Sequence, residues 1–519
     1  MAESARPVRV WPYSLGILLG LIAGLTIFVY LGARNIDERT RQWVVAELSR
    51  RFDSDVELKS LHVDLSPMMQ VTGEGLSLRY RSRMNVPPVI QIGRFSFNLG
   101  VLGIVHVPRH VKGVYVENMT ITIPPPQHDG PPADVGNAPP VPRVVFNMVV
   151  CNNTELVILP KKSGKEPLDF QIHDLVLTNV GETKPFDFHG TLTNAKPKGE
   201  IATRGTFGPW YAPEPAFTPV SGSYSFTNAD LDPFAGIGGT LSSKGEYKGR
   251  LNAIEVDGET DTPDFSLDPV GRGVPLHTEF SATVDGTDGD TYLHPVRATL
   301  IRSMIVAKGS VTHLTGTPGH LITLDVYAPK ARLQDILRLA TKSREPVMTG
   351  GVNLKAKLVI PPGKEKVIHR MKLDGDFGVN DAEFASMEVR DKLESLSRHA
   401  LGKPKDEEAG SSVTDLLGHF RLERDIATFR RLTFSVPGAE VRLTGSYKLP
   451  DETLDFVGQL RMQAKLSQTV TGKKSFFLKL ADPFFKKDGA GSVVPIQISG
   501  TREDPKFALA LFGAKDKKK

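Results

Sequence analysis

A single cysteine, Cys151, is all that the 519 residues contain. No internal disulfide can form and no zinc–cysteine cluster can be built, which leaves Cys151 the role of a small apolar core residue. A field of one charge is missing too: 64 basic and 59 acidic residues are mixed along the chain and leave a net charge of only +5. That balance lacks the basic face of a nucleic-acid-binding protein, so no nucleic acid is expected as a partner. Catalytic signatures are also missing. There is no G-x-S-x-G elbow and no H-E-x-x-H helix, and TGKKS at 471–475 lacks the upstream glycine spacing of a phosphate-binding loop. His62, His106, His110, His173 and His189 stand in strand or turn contexts with no acidic partner at fixed spacing. The nearest thing to a metal loop is DGTDGDT, Asp285 to Thr291. It lacks the alternating acidic spacing and closing glutamate of a calcium site, whereas Asp-Gly pairs are what a tight turn uses. The reading is therefore non-enzymatic, with no catalytic residue, metal or cofactor.

Long apolar runs are absent with one exception. YSLGILLGLIAGLTIFVYLG, Tyr13 to Gly32, is an uncharged run of 20 residues, enough to cross ~30 Å of hydrocarbon as a helix. A cleaved signal peptide has a shorter apolar region ending in small residues, and this one ends LGAR. A single uncleaved anchor is expected. Gly16, Gly20 and Gly24 fall on one face of it. Such small-xxx-small spacing lets two anchors pack, and it also arises by chance in glycine-rich helices. Arg6 and Arg9 precede the span while Arg34, Arg39 and Arg41 follow it, so charge does not fix its orientation.

What is present is alternation. After a helical stretch, IDERTRQWVVAELSRRF, come strand-like runs: DVELKSLHVDL, GLSLRY, IGRFSFNLG, VYVENMTITIPPP and, further on, RGTFGPW, SGSYSF, KGEYKG, KGSVTHL, GGVNLKAKLVIP and DGDFGV. Glycine leads many of these runs, followed closely by an aromatic or branched residue, which is an all-β signature. The clearest hairpin is VRLTGSYKLPDETLDFVGQLRMQAKL at 441–466. There Leu443, Tyr447, Leu454, Phe456, Leu460 and Met462 fall on one face, opposite Arg442, Lys448, Asp455 and Arg461. ARLQDILRLATKS and, more weakly, DKLESLSRHA are the helical exceptions. The expected organisation is 1–12 before the anchor, 13–32 the anchor, 33–123 a helix and first β segment, 124–140 a proline-rich linker or loop, 141–401 a central β array, 402–412 a polar loop, 413–512 a last β segment and 513–519 a basic tail. The tail, AKDKKK, solubilises the end of the chain or touches anionic headgroups.

A one-sided antiparallel sheet can close into a barrel, pack on a second sheet or remain an open trough. Between 141 and 402 no linker composition separates sandwich-sized units, and two helical segments are too few to cover the apolar face. The expected fold is therefore mainly β: one long curled antiparallel sheet of ~25 to 30 strands forming a hydrophobic groove, with a few short helices, whose filling is lipid.

Both ends of the chain carry a resemblance. RTRQWVVAELSRRFDSDVELKSLHVDLSPMMQVTGEGLSLRY directly after an anchor, and AEVRLTGSYKLPDETLDFVGQLRM followed by VVPIQISGTREDPKFAL, resemble the first and last signatures of the AsmA family of bacterial envelope proteins. The middle matches in style only. The resemblance implies an inner-membrane protein with its bulk in the periplasm and a β-groove that binds phospholipid and supports its transfer toward the outer membrane. A sheet of ~25 to 30 strands at ~4.8 Å is too short to cross a full periplasm, so transfer would need a protein docked at the carboxy-terminal edge, farthest from the anchor, or copies placed end to end. A second class stays open: an assembly factor or scaffold for outer-membrane β-proteins that adds their strands to a free sheet edge.

Overall fold

The computed structural model describes residues 37–509 apart from 53, 65–68, 81–84, 100–108, 126–143, 161–166, 182–183, 196, 212–214, 235, 268–272, 318, 341–345, 347, 403–412, 465–490 and 503. The expected anchor with Gly16, Gly20 and Gly24, most of the proline-rich segment, the polar loop and the basic tail lie outside those residues. Among the described residues no helix is long and apolar enough to cross a membrane.

Twenty-four strands among the described residues belong to one sheet. Two of them, Arg109–Val111 and Val114–Ile123, run parallel to Val144–Ile158 in the same register, with Arg109 opposite Val144 and Val114 opposite Val149. They are the halves of one interrupted strand, so the sheet has 23 strand positions, curled into a half-barrel. Every other pairing joins neighbours in sequence and is antiparallel. A parallel step needs a connection that returns along the full strand length, and in the sequence it falls between Ile123 and Val144. The sheet runs on across it without a break.

In a meander, successive connections alternate between the two rims. Counting along the strands places the Asp37–Phe52, Leu333–Ala340 and Met387–Ala400 helices all on one rim. The opposite rim carries tight turns such as Arg424–Asp425. The Asp37–Phe52 helix docks on the first strand: Val44 and Leu48 are buried in the apolar cluster beside Val56 and Leu58, and Arg41 Nη1 donates to Leu58 O at 2.7 Å. The Met387–Ala400 helix starts at a Ser386 cap whose Oγ accepts from Val389 N. At its other end Ala400 O accepts from Ala464 N, so the helix closes the rim from the strand ending at Phe384 to the one ending at Met462. The weaker helical signal of the sequence, DKLESLSRHA, belongs to the longest helix inserted between strands among the described residues.

A crease explains part of the curl. Lys59, Gly75, Gly93, Asn118, Asn153 and His173 are each skipped in the pairing of their strands, and each lies beside the next. Gly75, Asn118 and Asn153 take positive φ of 66°, 54° and 55°, a region open to glycine and tolerated by asparagine. Asn153 Nδ2 donates to Asn118 Oδ1 at 2.6 Å across the step. A one-residue interruption bends a strand and flips its alternation, and six in line bend the sheet.

Candidate functional site: the concave face

The concave face has three stretches. At the amino-terminal end, apolar residues from Val44 to Trp210 form one buried cluster that includes Phe95, Phe97 and Phe146. Cys151 belongs to it, and burial pushes its thiol up to about 12, in keeping with an apolar core role. At the carboxy-terminal end, residues from Ala328 to Val494 form a second cluster, against which Leu393 and Leu396 of the Met387–Ala400 helix pack. Among the strands between them are five adjacent ones, Lys198–Phe207, Pro219–Asp230, Thr240–Arg250, Ala253–Phe265 and Val274–Val284. There the inward positions are mostly half-buried, and nothing described covers them.

The hairpin read from sequence is present as Ala439–Lys448 and Thr453–Met462. Its register pairs Tyr447 with Leu454, Gly445 with Phe456, Leu443 with Gly458, Val441 with Leu460 and Ala439 with Met462. All six residues singled out from the sequence therefore share one face. Leu443, Phe456, Leu460 and Met462 are buried, at 4, 6, 5 and 5% exposure. Tyr447 and Leu454 are half-buried, and burial raises the Tyr447 phenol. These side chains pack on Phe429, Leu432, Phe434, Val494, Ile496 and Ile498, so this end of the trough is lined by its own interlocked side chains. The alternation read as far as Leu466 ends at Met462, and Leu466 lies outside the described residues.

Glycine sets the depth of the trough. Phe377, Phe420, Phe429 and Phe456 form a chain of rings with centroids 5.6 to 6.4 Å apart, and glycines on the strands between them leave room for the rings to lie along the floor. Gly418 faces Phe377 and Gly445 faces Phe456.

The convex face carries the charge. Cross-strand pairs such as Lys244–Glu259 at 2.7 Å, Lys372–Glu423 at 2.8 Å and Arg94–Glu74 at 3.1 Å lie there in water, where each contributes little to stability. The opposite face of the five central strands has no Asp, Glu, Lys or Arg in its register from Gly199 to Val284. Its polar members are hydroxyls: Thr203, Tyr224, Ser243, Tyr247, Thr260, Thr262 and Thr278. In the sequence these hydroxyls do not stand out, because SGSYSF and KGEYKG carry only the glycine punctuation of strands. Their signal was the tyrosine two residues after a glycine on an otherwise uncharged face.

The Asp285–Thr291 segment joins two strands on the rim opposite the Leu333–Ala340 and Met387–Ala400 helices. Its carboxylates are engaged by the chain itself: Asp285 Oδ1 accepts from Thr287 N at 2.8 Å and from Thr287 Oγ1 at 2.5 Å, Asp288 Oδ1 accepts from Asp290 N at 2.9 Å, and Asp290 Oδ1 accepts from His313 N at 2.8 Å. This is the turn chemistry expected of Asp-Gly pairs.

No protein-family model matches the chain, and neither the curated proteins nor the solved structures contain a match to it.

Proposed function

We propose that this chain is a membrane-anchored lipid-handling protein of the bacterial envelope that holds acyl chains along its concave face. The observation that carries the reading is a single sheet of 23 positions whose inward face is apolar or uncharged and, over the five central strands, uncovered. Exposed apolar surface on this scale marks a binding site for an apolar partner. A long, narrow, uncharged trough matches hydrocarbon chains laid lengthwise better than a compact ligand. Leu443, Tyr447, Leu454, Phe456, Leu460 and Met462 wall its carboxy-terminal lobe, where lipid meets the lining.

The AsmA resemblance of the chain ends adds the setting: an anchor at 13–32 in the inner membrane, the sheet in the periplasm and phospholipid as the cargo moved toward the outer membrane. The Asp37–Phe52 helix and the first strand stand nearest the anchor in sequence. The test is mass spectrometry of lipid extracted from the full chain purified in mild detergent. Co-purifying phospholipid at one or more molecules per protein is expected, and its absence overturns the reading.

A second reading rests on a separate feature. Pro505–Leu509, the last described strand, pairs only with Ser492–Thr501 among the described residues, and a free edge accepts an added strand. An assembly factor for outer-membrane β-proteins would use that edge. Photo-crosslinkers at Ile496 and Ile498 capturing protein, with crosslinkers at Leu454 capturing no lipid, would favour it over lipid transfer.

A further inference from the structure

Two tyrosines lie flat in the floor of the central stretch. Tyr247 reaches across the neighbouring strand at Gly222, where a Cβ would stand 2.7 Å from its Oη, and meets Thr203 Oγ1 at 2.7 Å. Tyr224 reaches the other way across Gly245, where a Cβ would stand 3.0 Å from its Cε1, and meets Ser243 Oγ at 3.0 Å. Ser243 is followed across the sheet by Thr260 and then Thr278, its register partners on the next two strands. A line of hydroxyls thus crosses the trough between its two apolar lobes.

Hydrogen accounting gives this line a polarity. A hydroxyl has one hydrogen and two lone pairs. Thr203 Oγ1 donates to Ser223 O at 3.0 Å, so Tyr247 must be the donor in its bond to Thr203. Ser243 Oγ donates to Glu259 O at 3.0 Å, so Tyr224 must be the donor in its bond to Ser243. Thr260 and Thr278 share one hydrogen between them at 2.5 Å. Of these six hydroxyls only one threonine keeps an uncommitted hydrogen, while both phenol oxygens keep lone pairs beside the open trough. Burial raises both phenols, which holds them protonated and neutral.

We propose that the centre of the trough is a subsite for the hydroxyl group of an amphiphile lying lengthwise in it, with the ligand's O–H donating to the oxygens of Tyr224 and Tyr247. The proposal rests on the lipid-binding reading above and narrows its ligand. A carboxylate or phosphate brings acceptors and a charge that this face does not compensate. An ester brings acceptors alone. A neutral alcohol supplies the hydrogen the line lacks, and both an acylglycerol hydroxyl and a fused-ring alcohol carry that chemistry.

The test uses the full chain in detergent, with hexadecanol, methyl hexadecanoate and hexadecanoate competing against a pyrene-labelled hydrocarbon. Wild type is expected to bind the alcohol about 10-fold more tightly than the ester or the carboxylate, the scale of one or two hydrogen bonds. Tyr224→Phe with Tyr247→Phe keeps both rings and should bring alcohol and ester within about 2-fold, with ester affinity unchanged. Equal binding of alcohol and ester by wild type, or a preference that survives in the double variant, overturns the proposal and leaves the lipid reading standing. Failure of wild type to bind any of the probes overturns both. Should the double variant not fold, a diazirine-bearing hexadecanol on wild type decides: labelling centred on the peptides of Tyr224 and Tyr247 supports the subsite, and labelling confined to the two lobes overturns it. A monoacylglycerol and a fused-ring alcohol, run as competitors, separate the two ligand sources.

Discussion

The ring of Phe456 lies 5.6 Å from that of Phe429 although a whole strand runs between them. Gly445 on the intervening strand makes the contact possible: a Cβ there would stand 2.2 Å from Asp455 O and 2.8 Å from a Phe456 ring carbon. Gly445→Ala should therefore destabilise the carboxy-terminal lobe by about 1 to 3 kcal/mol, the range for overpacking a filled site. The check is urea unfolding followed by the intrinsic fluorescence of the chain. An unchanged midpoint would mean that the ring chain has slack and does not fix the lobe.

Charge placed on the concave face should distinguish its lobes from its middle. Phe456 and Leu460 are 6 and 5% exposed within a packed cluster, so Phe456→Asp or Leu460→Asp buries an unpaired carboxylate and should cost several kcal/mol, about 3 to 5. Val256 occupies the same face but is half-buried, with no described element above it. Val256→Asp should leave the protein folded, at a cost of about 1 kcal/mol, and sharply lower the lipid that co-purifies. Circular dichroism with lipid extraction on the same preparations makes the comparison, and equal destabilisation at both places would argue that the middle is as closed as the lobes.

The one-sided sheet was legible because period-two alternation survives wherever a strand has one apolar face, and the 441–462 hairpin could be placed nearly to the residue. The crease was not legible. Lys59, Gly93 and His173 carry no local mark of being skipped, and their alignment exists only once the strands are in register. The parallel step at Val144–Ile158 was hidden for a related reason: a proline-rich stretch reads the same whether it links domains or returns along a sheet. Of the concave face, the apolar walls could be read from sequence, but the tyrosine–glycine crossings could not, since Tyr247 meets Thr203 two strands away. The edge at Pro505–Leu509 was anticipated from its place at the end of the array, not from any residue in it.

Asp285 gives a pH-dependent test of the turn on the rim opposite the Leu333–Ala340 and Met387–Ala400 helices. Burial raises its carboxyl above the ordinary value of 3.8, with bonds from Thr287 acting the other way and the neighbouring Asp288 adding to the rise. A carboxyl raised in the folded state stabilises the fold below its ordinary range, and that contribution is lost as pH rises through the raised value. Asp285→Asn keeps an oxygen to accept from Thr287 and removes the ionisation. The variant should be more stable than wild type at neutral pH, with the difference closing as pH falls to the ordinary carboxylate range. Thermal unfolding from pH 3 to 8 checks it, roughly spanning that window, and a difference that stays constant with pH would show that Asp285 is not desolvated in solution.

Reach follows from the count of strand positions. Twenty-three positions spaced at ~4.8 Å give a sheet about 105 Å long measured across its strands, and less end to end because it curls. Such a trough spans part of an envelope gap, so delivery to a second membrane would need a docked partner at the far end or a second copy placed end to end. The far end in sequence is the Ser492–Thr501 and Pro505–Leu509 pair, where the edge is free for pairing among the described residues. Small-angle scattering of the chain without residues 1–36 should give an elongated particle with a long axis of about 80 to 110 Å against a cross-section of a single curled strand length, ~30 to 40 Å. Substituting Lys at Ala508, an exposed position of the edge strand, should leave that axis unchanged and weaken end-to-end association, since a charge on an edge strand opposes pairing. A particle as wide as it is long would overturn both the reach and the continuous trough it is built on.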